Sequence, residues 1–257
     1  RHRADRDPAA AISLGLNESL RAGVTTLGEI STTSASAYGG FSGSQLLAFQ
    51  EVIGFSAARC DSVHGDLEDR LDASLEKHLN VGISPHAPYT VHPELLQRLI
   101  DSAASRNLPV AMHLAESLEE LELLRDNTGP FQQLLADRSM WDPEAIPIGS
   151  KPLVYLRVLS QAPRSLVIHG NYLSSKEIAF LGENREKMSV VYCPRTHVFF
   201  GHSAYPLQQM LDAGVRVALG TDSRASNPNL SLLSEMRFVA KQFPNLSPES
   251  ILEMGTL

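Results

Sequence analysis

Short apolar runs that alternate with helical segments are the feature that most constrains the fold of this chain. Each run has the length and flanking residues of a buried strand, and each is followed by sequence with apolar residues at helical spacing. The alternation is typical of repeated βα units around a parallel sheet. The runs are Val24–Leu27, Phe49–Phe55, Val81–Ile83, Leu108–Met112, Leu166–Ile168, Val190–Tyr192 and Val215–Leu219.

Three of these runs end in a side chain that can bind a metal ion. His113 follows the fourth run, His169 follows the fifth, and Asp222 follows the seventh. Because the carboxyl ends of parallel strands meet at one edge, we expect the three to converge. A lone histidine usually makes a structural hydrogen bond, but three equivalent placements favour a site for zinc or a similar ion. A turn or helix-cap aspartate near Asn227 and Pro228 is the alternative for Asp222.

Other polar residues near these ends allow two interpretations each. Glu116 lies three residues after His113, where a carboxylate can exchange protons with water; by itself it is more typical of a helix start. His86 lies in a loop fixed by prolines, and contact with substrate or with the loop is equally consistent with that position. His197 and His202 can line the mouth of a sheet, but their spacing does not require it.

The connecting segments and the strand count give further expectations. The loop Ser31–Gly43, rich in small residues, is either a flexible connector or a loop over an active site; its place after a strand favours the second. A short helix is predicted over Ser44–Ala48. A closed barrel needs eight strands, so the seven runs predict a barrel whose missing strand precedes Arg1.

Composition narrows the class of protein. The chain has 257 residues, 43% of them hydrophobic, which suits one domain over residues 1–257. The net charge of −7 argues against a nucleic-acid or anionic-membrane partner. No apolar run reaches the roughly 18–20 residues of a membrane span, and Arg1–Asp7 is no signal peptide. Cys60 and Cys193 predict no disulfide framework, so a cytoplasmic protein is expected.

Six motifs together resemble the amidohydrolase superfamily. More closely, they resemble its branch of cytosine, guanine and adenosine-derivative deaminases and triazine chlorohydrolases. The sequence around Cys193–His202 and Gly220–Glu235 resembles deaminases of adenosine derivatives, including aminofutalosine deaminases. The order and approximate spacing of the six motifs match this family across nearly the whole chain. The motifs are Gly23–Thr26, Ser84–Thr90, His113–Glu116, Val167–Gly170, Cys193–Arg195 and Leu219–Ser223.

The resemblance implies a distorted (β/α)8 barrel, an α/β fold of the TIM type, with one divalent metal at its mouth. Carried over by position, His113 and Asp222 are metal ligands, and Asp222 also contacts the reactive water. His169 orients that water or binds metal, and Glu116 is the proton shuttle that meets the substrate. His86 contacts the substrate. Zinc is the expected metal, with iron as the alternative.

The chain departs from the family pattern in two respects. The family begins with a His-x-His pair on its first strand, and no His-x-His is found here. The small β-sandwich that usually combines both termini is also absent, so the sequence resembles a fragment that lacks its first strand. Two of the four ligands implied by the family are therefore not accounted for.

The leading hypothesis is a metal-dependent hydrolase that deaminates an amino-substituted, purine-like heteroaromatic with an activated water. A chlorohydrolase or a cyclic amide hydrolase using the same site is the alternative enzyme. The alternative outside enzymes is a truncated barrel that folds without catalysing a reaction. The expected partner is a small molecule, and whether the chain forms a homo-oligomer is left open.

Overall fold

A computed structural model of the chain describes residues 8–38 and 45–256. Within these ranges, seven parallel strands form one sheet in sequence order, curled into a half-barrel. This is the architecture of an incomplete TIM barrel, and it confirms the predicted α/β class and the seven strands. The strands are β1 (Thr26–Ser31), β2 (Gln45–Val52), β3 (Val81–Pro85), β4 (Val110–Leu114), β5 (Ser165–His169), β6 (Met188–Tyr192) and β7 (Arg216–Leu219).

Helices fill the connections between the strands. Their ends follow local sequence: α3, for example, begins at Pro93, which suits a first turn, and ends at Asn107 with a left-handed φ of 55°. The helices are α1 (Pro8–Arg21), α2 (Cys60–Leu75), α3 (Pro93–Arg106), α4 (Leu118–Asp126), α5 (Pro130–Asp137), α6 (Pro152–Leu159), α7 (Ser175–Glu183), α8 (Pro194–Phe199), α9 (Leu207–Asp212), α10 (Leu232–Gln242) and α11 (Pro248–Thr256).

The predicted helix over Ser44–Ala48 is wrong. Residues from Gln45 onward belong to β2, where Leu46 pairs with Leu27 of β1. Pairing with a neighbouring strand overrides the helical preference of leucine and alanine. Of the predicted loop Ser31–Gly43, a 3₁₀ helix covers Ala35–Tyr38, and residues 39–43 lie outside the described ranges.

The two faces of the sheet differ in burial. On β5, Val167 and its neighbours on the same face are buried in the apolar core beneath the helices, whereas Leu166 and Ile168 on the other face are half-buried. The helix-covered face is therefore the main hydrophobic core. Burying each large apolar side chain there contributes roughly 1.5–3 kcal/mol.

The parallel order places the carboxyl ends of all seven described strands along one rim. His113 and His169 lie at the ends of β4 and β5, and the other candidate site residues lie in the loops after β3, β4 and β7, so this rim is where a site is expected. In the described part of the chain, no helix is long and apolar enough to cross a membrane.

Candidate active site

The ends of β4 and β5 bring three predicted site residues together. The rings of His113 and His169 have centroids 5.6 Å apart. Glu116 extends from the loop after β4, and its Oε1 lies 3.6 Å from Nε2 of His169. His113 and Ile168 are paired in the β4–β5 register, which explains why the two histidines meet. Two imidazoles and a carboxylate therefore share one rim position.

A main-chain contact fixes the protonation of His113. Its Nδ1 lies 2.9 Å from the carbonyl oxygen of His86. Since a carbonyl only accepts hydrogen bonds, Nδ1 carries a proton, and in the neutral tautomer Nε2 is the nitrogen with the lone pair. Metal-binding histidines are commonly oriented in this way, by a carbonyl that accepts from the other ring nitrogen. His113 is thus arranged as a ligand that binds through Nε2.

His86 lies beside His113 at the end of β3. The ring centroids are 5.1 Å apart, and Nδ1 of His86 is 2.7 Å from the hydroxyl of Thr90. That hydroxyl lies 3.2 Å from the carbonyl of Ala87 and donates to it, so the imidazole donates to Thr90 and Nε2 faces away with a lone pair. Burial, and to a lesser extent His113, lower the pKa of His86 to about 4. The side chain is therefore neutral near pH 7.

Burial also controls the charge of the other two groups at this rim. The pKa of His169 is lowered to about 3, first by burial and then by His113. The pKa of Glu116 is raised by burial and by Asp222, while His113 lowers it. A carboxyl group with a raised pKa beside a neutral imidazole is suited to accepting protons during catalysis.

Asp222 follows β7, in the loop before α10. Its Oδ1 accepts from the main-chain N–H of Ser223 at 2.7 Å, and its Oδ2 accepts from the hydroxyl of Ser226 at 3.2 Å. The turn interaction anticipated as the alternative for Asp222 is thus present. Asp222 nevertheless lies close enough to Glu116 to raise its pKa, so the two interpretations are compatible.

Three residues at or just after the ends of β4, β5 and β7 have a left-handed backbone conformation. Ala115, His169 and Asp222 have φ values of 53°, 71° and 56°. This conformation is unfavourable for a residue with a Cβ atom, and surrounding contacts must hold it. Such strained residues cluster at functional sites, so their presence at three strand ends supports a site at this rim.

The side chains present fit part of a metal ligand set. Among residues 8–38 and 45–256, no group of three or more His, Cys, Asp or Glu side chains is arranged to hold a metal ion. His113 and Asp222 do offer an imidazole nitrogen and carboxylate oxygens, which are zinc ligands. The described residues therefore fit two ligand positions and do not by themselves complete a tetrahedral site.

The remaining predicted residues lie behind this rim. His197 places Nε2 2.7 Å from the carbonyl of Ser203 and Nδ1 3.1 Å from Oδ1 of Asn171. His202 places Nδ1 3.1 Å from the hydroxyl of Tyr172. Both histidines thus make protein hydrogen bonds that hold the loops after β5 and β6.

Several supporting residues were not predicted from the sequence. The carboxylate of Glu120 and the amide of Asn171 both contact the main chain of Glu116. The hydroxyl of Tyr205 donates to the carbonyl of His169 at 2.8 Å. The sequence did contain a signal for Glu120, because Ser117 and Glu120 have the S-x-x-E spacing of a capping box. It contained no signal for Asn171 and Tyr205, since their contacts depend on how the loops meet.

A buried ion pair supports the loop that carries Asp222. Nε of Arg195 donates to Oε1 of Glu235 at 2.7 Å, and the Glu235 side chain is 0% exposed. Asn227 donates both to Glu235 and to the carbonyl of Thr221, each at 2.6 Å. The network thus connects the start of α8 and the body of α10 to the residue before Asp222.

Comparison with known proteins identifies the family. The amidohydrolase family model matches residues 5–257. The chain belongs to the amidohydrolase family. This confirms the resemblance seen in the sequence motifs. The family is metal-dependent, which agrees with the ligand chemistry of His113 and Asp222.

Three amidohydrolase relatives show how far the likeness extends. The 5-methylthioadenosine/S-adenosylhomocysteine deaminase of Pyrococcus furiosus is 33% identical over 186 residues, which are 70% of this chain and 39% of that protein. The Helicobacter pylori aminofutalosine deaminase structure has a TM-score of 0.80 at 21% identity, covering 96% of this chain and 62% of that one. A zinc-bound adenosine deaminase from Xanthomonas campestris has a TM-score of 0.64 at 26% identity, covering 92% and 51%.

These matches support the family and the fold of this chain, but each covers only part of the matched protein. At 21% identity the Helicobacter likeness shows the fold alone. The chain spans 39% of the length of the Pyrococcus deaminase, so it corresponds to less than half of that protein. Family membership and fold are therefore established for this chain.

Proposed function

We propose that the protein is a metal-dependent deaminase that hydrolyses an amino-substituted, purine-like heteroaromatic of the adenosine class. The main observation behind this proposal is the 3.6 Å distance between Oε1 of Glu116 and Nε2 of His169, beside the ring of His113. Proton exchange between a positioned carboxyl group and water is the step that hydrolytic deamination requires. The named activities of the relatives support the substrate class.

In this proposal His113 and Asp222 hold one divalent metal, with zinc as the first choice and iron as the alternative. The free Nε2 of His113 is the observation that fits this role. When bound, such a metal acidifies water so that it can attack a trigonal carbon near neutral pH. His169, neutral near pH 7 because of its lowered pKa, hydrogen-bonds the attacking water.

Glu116 moves the proton. The carboxylate accepts one proton from the attacking water and delivers it to the ring nitrogen of the substrate as the C–O bond forms. The second proton of that water passes from the added hydroxyl to the amino group, the C–N bond breaks, and ammonia leaves a carbonyl on the ring. The burial that raises the pKa of Glu116 makes its carboxylate a stronger base than an ordinary one, so it accepts the proton of the attacking water more readily. His86 uses its outward-facing Nε2 to contact the substrate.

The test is ammonia release by full-length protein supplied with zinc or iron. Adenosine, 5′-methylthioadenosine, S-adenosylhomocysteine and aminofutalosine form the substrate panel, with a chlorinated triazine and a cyclic amide as parallel arms. We expect ammonia from at least one adenosine derivative and none from His113→Ala. Metal-loaded protein that releases no ammonia, or that releases only chloride from the triazine, would overturn the proposal.

Three further expectations remain predictions from the sequence. They are a single domain over residues 1–257, a cytoplasmic location and the absence of a nucleic-acid partner. Whether the protein forms a homo-oligomer is also a matter for measurement in solution.

A further inference from the structure

Two side chains hold the main chain of Glu116 from opposite sides. Oε1 and Oε2 of Glu120 accept from the main-chain N–H groups of Ala115 and Glu116 at 2.8 and 3.0 Å. Nδ2 of Asn171 donates to the carbonyl oxygen of Glu116 at 2.9 Å. Both polar groups of the Glu116 backbone therefore have a side-chain partner. We call Glu120 and Asn171 the Glu116 clamp.

The position of Glu120 shows that this contact is not an ordinary helix cap. Ser117 precedes α4, and its hydroxyl accepts from the main-chain N–H of Glu120 at 3.2 Å. In a capping box, the glutamate then reaches back to the N–H of the capping serine. Glu120 instead reaches further back, to Ala115 and Glu116, the two residues before the serine.

Helix α7 shows the usual arrangement in the same molecule. Ser174 and Glu177 have the same four-residue spacing, and Oε2 of Glu177 accepts from the N–H of Ser174 at 2.6 Å. Both glutamates are buried, Glu120 at 0% and Glu177 at 4% exposure. Glu177 also accepts a second main-chain N–H, from Leu153 of α6 at 3.2 Å, so each glutamate accepts two main-chain N–H groups. Of these two matched glutamates, only Glu120 contacts the main chain of Glu116.

The local backbone explains why a clamp is needed. Ala115 has a φ of 53°, which is unfavourable for any residue with a Cβ atom. Without outside support, this peptide would relax toward a more extended conformation and change the direction of the Glu116 side chain. Two main-chain N–H groups that donate to one fully buried side chain hold the peptide against this relaxation, and the contact does not depend on the charge of Glu120.

Asn171 is held in turn by its own neighbours. Its Oδ1 faces Nδ1 of His197 at 3.1 Å, and Nε2 of His197 faces the carbonyl of Ser203 at 2.7 Å. The ring of His197 is neutral, because burial lowers its pKa, and its single N–H donates to one of these two oxygens. The clamp therefore ties the loop after β4 to the loop after β5 through Asn171.

We propose that Glu120 and Asn171 are positioning residues that fix the Glu116 carboxylate for proton transfer. This inference rests on the proposed function of Glu116. Neither clamp residue acts on the substrate. Both act through the backbone of Glu116, so their loss should reduce the rate of the chemical step and leave substrate and metal binding intact.

The test compares Glu120→Gln with the matched control Glu177→Gln. The amide of glutamine presents one donor where two acceptors are needed, so the contact with Ala115 or with Glu116 is lost. We expect faster hydrogen exchange at the amides of Ala115 and Glu116, and a fall in kcat on the order of 10², the cost of a misplacement of about 1 Å. KM, metal content and the control's kcat should stay unchanged.

Asn171→Ala gives an independent measurement that does not alter a buried carboxylate. It should also lower kcat without changing KM or metal content. If Glu120→Gln does not fold, the kcat of Asn171→Ala tests the clamp by itself. A kcat in Asn171→Ala equal to that of the unaltered protein would overturn the clamp, as would equal losses of kcat in Glu120→Gln and Glu177→Gln.

The exchange measurement separates this inference from the proposed function. If the unaltered protein deaminates no substrate, the proposed function fails, and exchange at Ala115 and Glu116 still reports on the clamp. Exchange unchanged by Glu120→Gln would overturn the inference even in an active enzyme. Faster exchange with a lower kcat would support both proposals.

Discussion

At the scale of single residues, the site depends on contacts that set which ring nitrogen is free. The main-chain carbonyl of His86 orients His113, whereas the side chain of His86 is held by Thr90. The two functions of residue 86 therefore use different atoms. A substitution that removes the imidazole leaves the carbonyl in place, so the two functions can be separated experimentally.

We predict that His86→Ala weakens substrate binding and preserves the metal site. Its KM should rise by more than its kcat falls, because the role proposed for this imidazole is contact with substrate rather than with the reacting water. Steady-state kinetics with metal analysis measures both effects. Thr90→Val, which removes only the anchor of the imidazole, should give a smaller change in the same direction. Loss of metal in His86→Ala would show that the side chain belongs to the metal site instead.

A second residue-scale prediction concerns Glu29 on β1. Burial raises its pKa to about 7, and the Tyr38 hydroxyl lowers it less. Between the unfolded pKa of 4.5 and the folded value, the folded protein holds a proton that the unfolded chain has lost. Stability therefore falls as the pH rises through this window, on the order of 3 kcal/mol at about 1.4 kcal/mol per pKa unit.

Glu29→Gln should abolish that dependence, because the amide has no proton to lose. Its free energy of unfolding should exceed that of the unaltered protein at pH 8 and equal it near pH 4. Urea denaturation across this range measures the difference. The exposed Glu253→Gln variant is the control and should follow the unaltered protein. A Glu29→Gln curve parallel to that of the control would contradict the account.

Single site residues could be predicted from the sequence only where a local pattern marked them. His113, His169 and Asp222 were found because each directly follows an apolar run, which is a local pattern. Glu116 was a candidate because it lies three residues after His113, but its role as proton shuttle came from the family resemblance. Asn171 could not be found, because its contact with Glu116 depends on a loop that lies 55 positions away in the chain.

At the scale of elements, the strands were predicted better than their ends. All seven apolar runs lie on strands or beside them, because buried parallel strands have continuous apolar sequence. Helix α8 was not predicted, since Pro194–Phe199 is too short to show a helical period. The start of β2 was predicted as helix because its leucines favour either structure until a neighbouring strand pairs with them.

The Arg195–Glu235 ion pair links α8 to α10, so we predict that breaking it destabilises the packing of these two helices. Arg195→Ala leaves the carboxylate of Glu235 buried without its cation, which should lower the free energy of unfolding by about 3–5 kcal/mol. The control is Arg216→Ala, which breaks an exposed pair with Glu186 and should cost about 0–1 kcal/mol. Denaturant titration of both variants measures the difference, and equal losses would contradict a structural role for the buried pair.

At the scale of the whole molecule, the curled sheet explains why distant residues share a site. His113 and Asp222 are far apart in sequence, but both follow strands whose carboxyl ends lie on the same rim. Sequence periodicity predicted this convergence through the βα pattern. It did not predict the left-handed residues Ala115, His169 and Asp222, because no local signal marks such positions outside glycine.

The central claim is that Glu116 transfers protons at a metal site held in part by His113. The most direct test measures metal content and deamination rate together in Glu116→Gln of the full-length protein, with His113→Ala beside it. The amide keeps the shape of the carboxylate but cannot carry the proton. The account predicts full metal content with turnover lowered on the order of 10³ for Glu116→Gln, and loss of both metal and turnover for His113→Ala. A metal-bound Glu116→Gln protein that deaminates adenosine derivatives at the unaltered rate would contradict it.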